Sequence, residues 1–246
     1  MQNITNIALS RLTAQQRALD VTAGNIANAN TPGYRAERLV FSDFLLRTRG
    51  RDLPPGGETV TFTQDRASYR DQAAGPITHT ANTLDLALGG DGYFMVETPS
   101  GTRLTRAGHF ELNASSNIVN SDGHPLLDAG GQKIQLAAAD TTITISADGT
   151  ISTENGRVGR IGVVRPADPL RMKPEGGRLF VAEGTPLPVD KPRVIQGAIE
   201  QSNISPVIEL TRMMRELREF EFTSKMVQSD SARQQNAIDK LTQKRS

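Results

Sequence analysis

The chain has no cysteine and no tryptophan among its 246 residues, and aromatic residues make up only 4%. Disulfides, thiolate metal ligands and cysteine nucleophiles are therefore excluded. Little flat aromatic surface is left on which a sugar ring or a base could stack. An excess of one charge is lacking too. Against 28 Lys and Arg stand 27 Asp and Glu, a formal net charge of +1, and the two signs are interleaved, so neither a nucleic-acid partner nor a polybasic membrane patch is expected. No apolar run approaches the ~18 residues of a membrane span. The opening MQNITNIALSRLTAQQRALD carries none of the basic, apolar and small-residue succession of a secretory signal. If the chain leaves the cytosol, it is expected to do so without a cleaved Sec signal.

Groups that carry chemistry are scattered. His79, His109 and His124 have no metal-ligand spacing. Gly89-Gly90-Asp91-Gly92 is followed by no Lys-Ser/Thr and opens no helix, so it reads as a hairpin turn and not a phosphate cradle. Asp122-Gly123 and Asp148-Gly149 lack the alternating oxygen ligands of a calcium loop. The acids Glu97, Glu111, Asp128 and Glu154 are not paired by any spacing that would suit glycan cleavage. No catalytic residue, cofactor, metal or small-molecule substrate is expected.

What is present is an apolar seam at each end. From Leu210 a three-then-four spacing runs through Met213, Leu217, Phe220, Ser224, Val227, Ser231, Gln234, Ile238 and Leu241, the pattern of a helix that wants a partner. Ser205-Pro206 gives this helix a start, with Glu209 in its first turn and an end near Lys244. The first thirty residues offer a matching stripe of Ile4, Ala8, Leu12, Leu19 and Ile26, with Gln15 and Thr22 in register, and Asn30-Thr31-Pro32-Gly33 stops it. Leu12, Leu19 and Ile26 are expected to face Leu210, Leu217, Phe220, Val227, Ile238 and Leu241. Val207, Ile208, Met214, Phe222 and Met226 lie off the seam, which points to more than one contacting neighbour. One stripe is little cover for helices of this length, so both ends are expected to be largely disordered in the free subunit and to fold when subunits stack.

Between the ends the texture is short β-rich runs, punctuated by Asp91-Gly92, Asp122-Gly123, Asp148-Gly149 and Asn155-Gly156, pairs that accept the positive φ of tight hairpins. The expected fold is α+β: long N- and C-terminal helices pairing as a coiled-coil-like domain, with a mainly antiparallel β body inserted between them. The expected division is residues 1–35 with 197–246 as a discontinuous helical assembly domain, 36–75 as a connecting segment with a polar Pro/Gly loop, and 76–196 as the body.

Specific words then join the periodicity. GNIANANTPGYRAE resembles the signature of flagellar rod and hook proteins, with Asn25, Ile26, Asn28, Thr31, Gly33 and Tyr34 on matching positions. The stretch LDLALGGDGYFMVETPSGTRLTRAGHFEL is similar to the same family's body, placing Gly90, Asp91 and Gly92. GAIEQSNISPVIELTRMM resembles its tail, placing Gly197, Glu200, Ser202, Asn203, Pro206, Glu209 and Leu210. Gly24, Ala81 and Ser205 depart from the residues usual there. The opening and the stretch QDRASYRDQAAGPITHTANTLDLAL look like the proximal-rod type more than the distal-rod type. The resemblance implies a structural subunit of the bacterial flagellar basal body. It implies export through the flagellum's type III apparatus, polymerisation in the periplasm with copies of itself and with other rod subunits, and torque transmission. It implies no enzyme activity and no membrane insertion. Asn25 and Asn28, inside the helix, are expected to hydrogen-bond across a subunit or helix-to-turn contact.

Overall fold

A computed structural model describes residues 2–48, 58–137, 139–176 and 178–243. Helix α1 spans Gln2–Ala27 and helix α2 spans Pro206–Gln243. Both start and stop close to the sequence signals. Pro206 sits at the first helical position, where its missing N–H costs nothing, and α1 ends before the Asn-rich turn. Strand β1 (Glu37–Thr48) pairs with strand β2 (Glu58–Arg70) as a two-stranded sheet. The chain divides into two compact units, one of Met1–Ala27, Glu37–Ser68 and Ser205–Ser246, the other of Asn28–Ala36 and Tyr69–Ile204. Residues 28–35 and 197–204, grouped with the helices from sequence, fall in the second unit, and 37–68 of the expected connecting segment in the first.

In the first unit α1 packs along α2, and β1 lies against α1. The helix pair is antiparallel: Asn25, at the end of α1, bonds Glu37, whose neighbour Arg38 reaches Glu209 in the first turn of α2, and Arg11, farther back along α1, shares a groove with Glu219 farther on along α2. At about 1.5 Å per residue α1 reaches roughly 39 Å and α2 roughly 57 Å. The last dozen residues of α2 therefore run beyond the reach of α1, and every described side chain from Ser231 onward is exposed. Both ends are helical in the single chain. The cover they give each other lies along one face only.

The second unit is the β body. Its largest sheet has six strands in the order 173–175, 179–181, 101–105, 93–98, 163–165 and 187–188, with every neighbouring pair antiparallel. A three-stranded sheet joins 143–145, 150–153 and 156–160. Because side chains alternate across a strand, Tyr93 and Phe94 feed opposite faces. Phe94 enters the main core with Leu86, Phe110, Leu126, Ile151 and Ile161, where its ring meets Phe110 edge-on at 5.5 Å. Tyr93 joins Leu104, Val164, Met172 and Phe180 on the other side. The four turn pairs read from sequence all place their glycine at positive φ.

Candidate assembly surface on the terminal helices

The covered face of α2 is built partly from polar residues. Glu209 and Thr223 are buried and Glu216 half-buried, a row at seven-residue spacing, and Met213, Phe220 and Val227 fill the positions between. The seam read from sequence shares that second row. Its other row is displaced by one residue, about 100° around the helix: Leu210 and Leu217 are 47% and 43% exposed and do not form the seam with α1. The reason is hydrogen bonding. Glu209 accepts from Arg38 at 2.7 Å and from Arg212 at 3.2 Å, while Glu216 accepts from the Thr22 hydroxyl at 2.9 Å. With partners in place, burial of these carboxylates is tolerated, and the leucines turn outward. Partial burial still holds the Glu216 carboxyl above its ordinary range, against the pull of Thr22 and Arg215.

On α1 the expected stripe is close to the observed one. Leu19 and Thr22 are buried, Leu12 and Ile26 half-buried, and Ala14 and Asn25 join them from one side. Small residues at Ala14 and Ala18 leave a groove of about 490 Å³ against Arg215, Glu216 and Glu219. Both amide atoms of Gln15, which also lines the groove, are buried without a hydrogen-bond partner among the described residues. The side chains of Ile238 and Leu241 lie outside the described residues.

Asn25 is fully buried and works within the chain. Its Nδ2 donates to the Glu37 carbonyl and its Oδ1 accepts from the Glu37 N–H, both at 2.9 Å, so the helix end is clamped to the first residue of β1. Asn28 accepts from Thr31 through both its backbone and its side chain, a turn role.

The remaining motif residues converge on a buried hub in the β body. Arg106 donates from Nε to Glu200 at 2.7 Å and from Nη1 to the carbonyls of Gly90 and Gly92 at 2.8 and 2.7 Å. Arg35, next to Tyr34, lies 3.6 Å from the same carboxylate and donates to the Gln72 carbonyl. Two guanidiniums on one carboxylate leave an excess positive charge, which the Tyr93 ring offsets at 5.6 and 5.9 Å from the two cations. Burial draws Arg106 below its ordinary range while Glu200 pulls it back. Asp91 is exposed at the turn. Gly33, at φ +71°, donates its N–H to the Glu200 carbonyl, and a Cβ there would stand 2.4 Å from the Ala107 nitrogen. Asn203 ties Ala36 N–H at 2.8 Å to the Ala73 carbonyl at 2.9 Å, and Ser202 caps Ile204. Sequence reading named most of these positions, Glu200 among them as a motif residue, but missed Arg35 and Arg106 and the ion pairs they make with it, because buried charge leaves no periodic signature.

Of the four acids considered for catalysis, Glu111 is exposed on the strand Phe110–Leu112 and the other three are spent on structure. Glu97 pairs with Lys133, Asp128 caps a turn, and Glu154 accepts from Thr141 and Thr142, which holds its carboxyl down at about 2.

Three family models match the chain: flagella basal body rod protein over residues 6–35, flagellar hook protein FlgE/F/G D1 domain over 87–153, and flagellar basal body rod FlgEFG protein C-terminal over 195–240. The flagellar basal-body rod protein FlgF of Caulobacter vibrioides is 35% identical over 98% of each chain, and FlgF of Mesorhizobium japonicum is 36% identical over 99% of this chain and 100% of its own. The chain belongs to the flagellar basal-body rod family, in its FlgF type. FlgG of Bacillus subtilis is 31% identical over 86% of this chain and 89% of its own. This rod subunit is a structural, non-enzymatic member of the basal body. No described helix is long and apolar enough to cross a membrane.

Proposed function

We propose that the α1/α2 pair is the surface through which this rod subunit polymerises, with copies of itself and with neighbouring rod subunits, in the periplasm. The chain arrives there unfolded through the flagellum's type III apparatus, and the polymer transmits torque as part of the proximal rod, with the β body stiffening lateral contacts. One observation carries the reading. Helix α2 is covered along a single face by α1, and Val207, Phe222, Met226 and the displaced Leu210 and Leu217 all stand 43% or more exposed. A lone soluble helix pair would not present so much apolar surface. Leu12, Leu19 and Ile26 hold α1 on α2 at Met213, Phe220 and Val227, and Leu210 and Leu217 face neighbouring subunits.

The test is sedimentation of the purified full chain over a range of concentrations, beside a Leu217→Asp variant. Wild type should form concentration-dependent assemblies that the variant loses while keeping its β-sheet circular dichroism. A wild-type chain that stays monomeric throughout would end the reading.

A further inference from the structure

Asn155-Gly156 is the only Asn-Gly pair in the chain, and it falls at the tip of the hairpin formed by strands 150–153 and 156–160. An asparagine followed by glycine is among the most labile steps of a polypeptide, because a residue without Cβ lets its nitrogen close on the side-chain amide that precedes it. Both residues are exposed. Gly156 lies at φ +126°, and a Cβ there would meet nothing within 4 Å, so the space beside this peptide is open.

One side-chain contact restrains the asparagine. Its Nδ2 donates to Asp140 Oδ1 at 2.7 Å, and Asp140 in turn accepts the Ala137 N–H at 2.8 Å. Next to it, Glu154 holds the same segment by accepting from the N–H groups of Thr141 and Thr142 at 2.7 and 3.0 Å. Asp140 is ionised, since the Asn155 bond above all keeps its carboxyl below the ordinary range. Asn120-Ser121 offers a contrast within the chain. Asn120 is buried, and its Oδ1 accepts two backbone N–H groups, from Asp122 and His124.

We infer that Asn155 is a self-modification site, at which the backbone nitrogen of Gly156 displaces ammonia, and that the hydrogen bond to Asp140 is the latch that slows it. The Gly156 nitrogen gives up its proton and bonds to Cγ of Asn155. The Cγ–Nδ2 bond breaks, and Nδ2 leaves as ammonia with that proton. Water then opens the cyclic imide at either carbonyl, which leaves aspartate or isoaspartate without any oxidant or cofactor. Ring closure requires Cγ to swing toward the following nitrogen, and an amide pinned to Asp140 is not free to swing. The product sets a carboxylate where Asp140 had a donor, so like charges meet and the latch cannot re-form.

Peptide mapping by mass spectrometry tests this on the full chain, aged in mildly alkaline buffer with and without urea, beside Asp140→Ala. In the folded chain conversion should be found at Asn155 and not at Asn120, and it should be slower than in urea. Asp140→Ala should convert about fivefold faster than wild type, the population change expected when an amide is released from a hydrogen bond of ordinary net strength. A second variant, Asn155→Asp, carries the product's charge and should speed amide exchange at residues 139–142 while the melting temperature of the body stays put. If Asp140→Ala loses the cooperative melt, the exchange in Asn155→Asp decides alone. A chain that converts at Asn155 in urea but never when folded, with or without Asp140, would overturn the site. Equal rates in Asp140→Ala and wild type, or unchanged exchange in Asn155→Asp, would overturn the latch.

Discussion

Arg106 and Glu200 are 94 residues apart in the chain and form a closed ion pair, Nε to Oε2 at 2.7 Å, with side chains 1% and 2% exposed. Glu200 also accepts the Gly75 N–H at 3.2 Å, and its backbone carbonyl receives Gly33. Removing Glu200 strands two guanidiniums, Arg106 and Arg35, in a dry site, and removing Arg106 takes away the closer of the carboxylate's two cations and leaves the Gly90 and Gly92 carbonyls without their donor. Glu200→Gln or Arg106→Met should each destabilise the β body by about 3–5 kcal/mol, measured by urea denaturation followed by circular dichroism. The double replacement by methionine leaves the buried Arg35 cation without its carboxylate, so it should not recover the stability lost by Glu200→Gln alone.

Gly33 makes a separate demand on the same region. Its φ of +71° disfavours any side chain, and a Cβ meets backbone at 2.4 Å, which no rotamer change relieves. Gly33→Ala should lower the stability of the body by at least about 2 kcal/mol, read as a drop in melting temperature. Gly24, in open space on α1, should accept alanine with a small gain in helix stability.

Glu216 supplies a pH dependence. Its carboxyl is raised above the ordinary value, chiefly by burial, so the packed helix pair holds the proton more tightly than the unfolded chain does. The stability it contributes is present below the unfolded value and is lost as pH rises through the raised one. Glu216→Gln makes the neutral form permanent and still accepts from Thr22. The variant's helix pair should be more stable than wild type at neutral pH and equal to it near about pH 4, as followed by helix melting at a series of pH values.

Protection against amide exchange should be graded along α2. From Glu209 to Val227 the helix has α1 alongside it, whereas from Ser231 onward the described side chains are exposed. In the isolated subunit the later amides should exchange much faster than the earlier ones, and assembly should slow them. Uniform protection over residues 210–243 in a monomer would contradict the view that neighbours complete this helix.

The two helices, their limits and the antiparallel β texture were legible in the sequence because each leaves a local mark: a 3.6-residue apolar period, a Pro start signal, Asp-Gly turns. Strand β2 was legible too, in the β-rich run VTFTQDRASYR, but β1 was less so. RAERLVFSDF mixes charge with apolar residues and reads as a connector until its partner Glu58–Arg70 is seen beside it. The asparagines were recognised as special, but Asn25 clamps its own chain at Glu37, since a side-chain amide cannot announce its partner in advance.

By itself, the sequence determined that this is a cysteine-free, charge-balanced chain with helices at both ends of a β body, and its motif words placed it among flagellar rod proteins. Only the tertiary structure decided which row of α2 faces inward. Apolar periodicity favours the row of Leu210 and Leu217. Arg38, Arg212 and Thr22 instead satisfy Glu209 and Glu216, and that choice turns the leucines toward solvent. Likewise Arg35, Arg106 and Glu200 become one site only when three distant segments fold together, because the value of a buried charge depends on what lies within a few ångströms of it and not on its place in the chain.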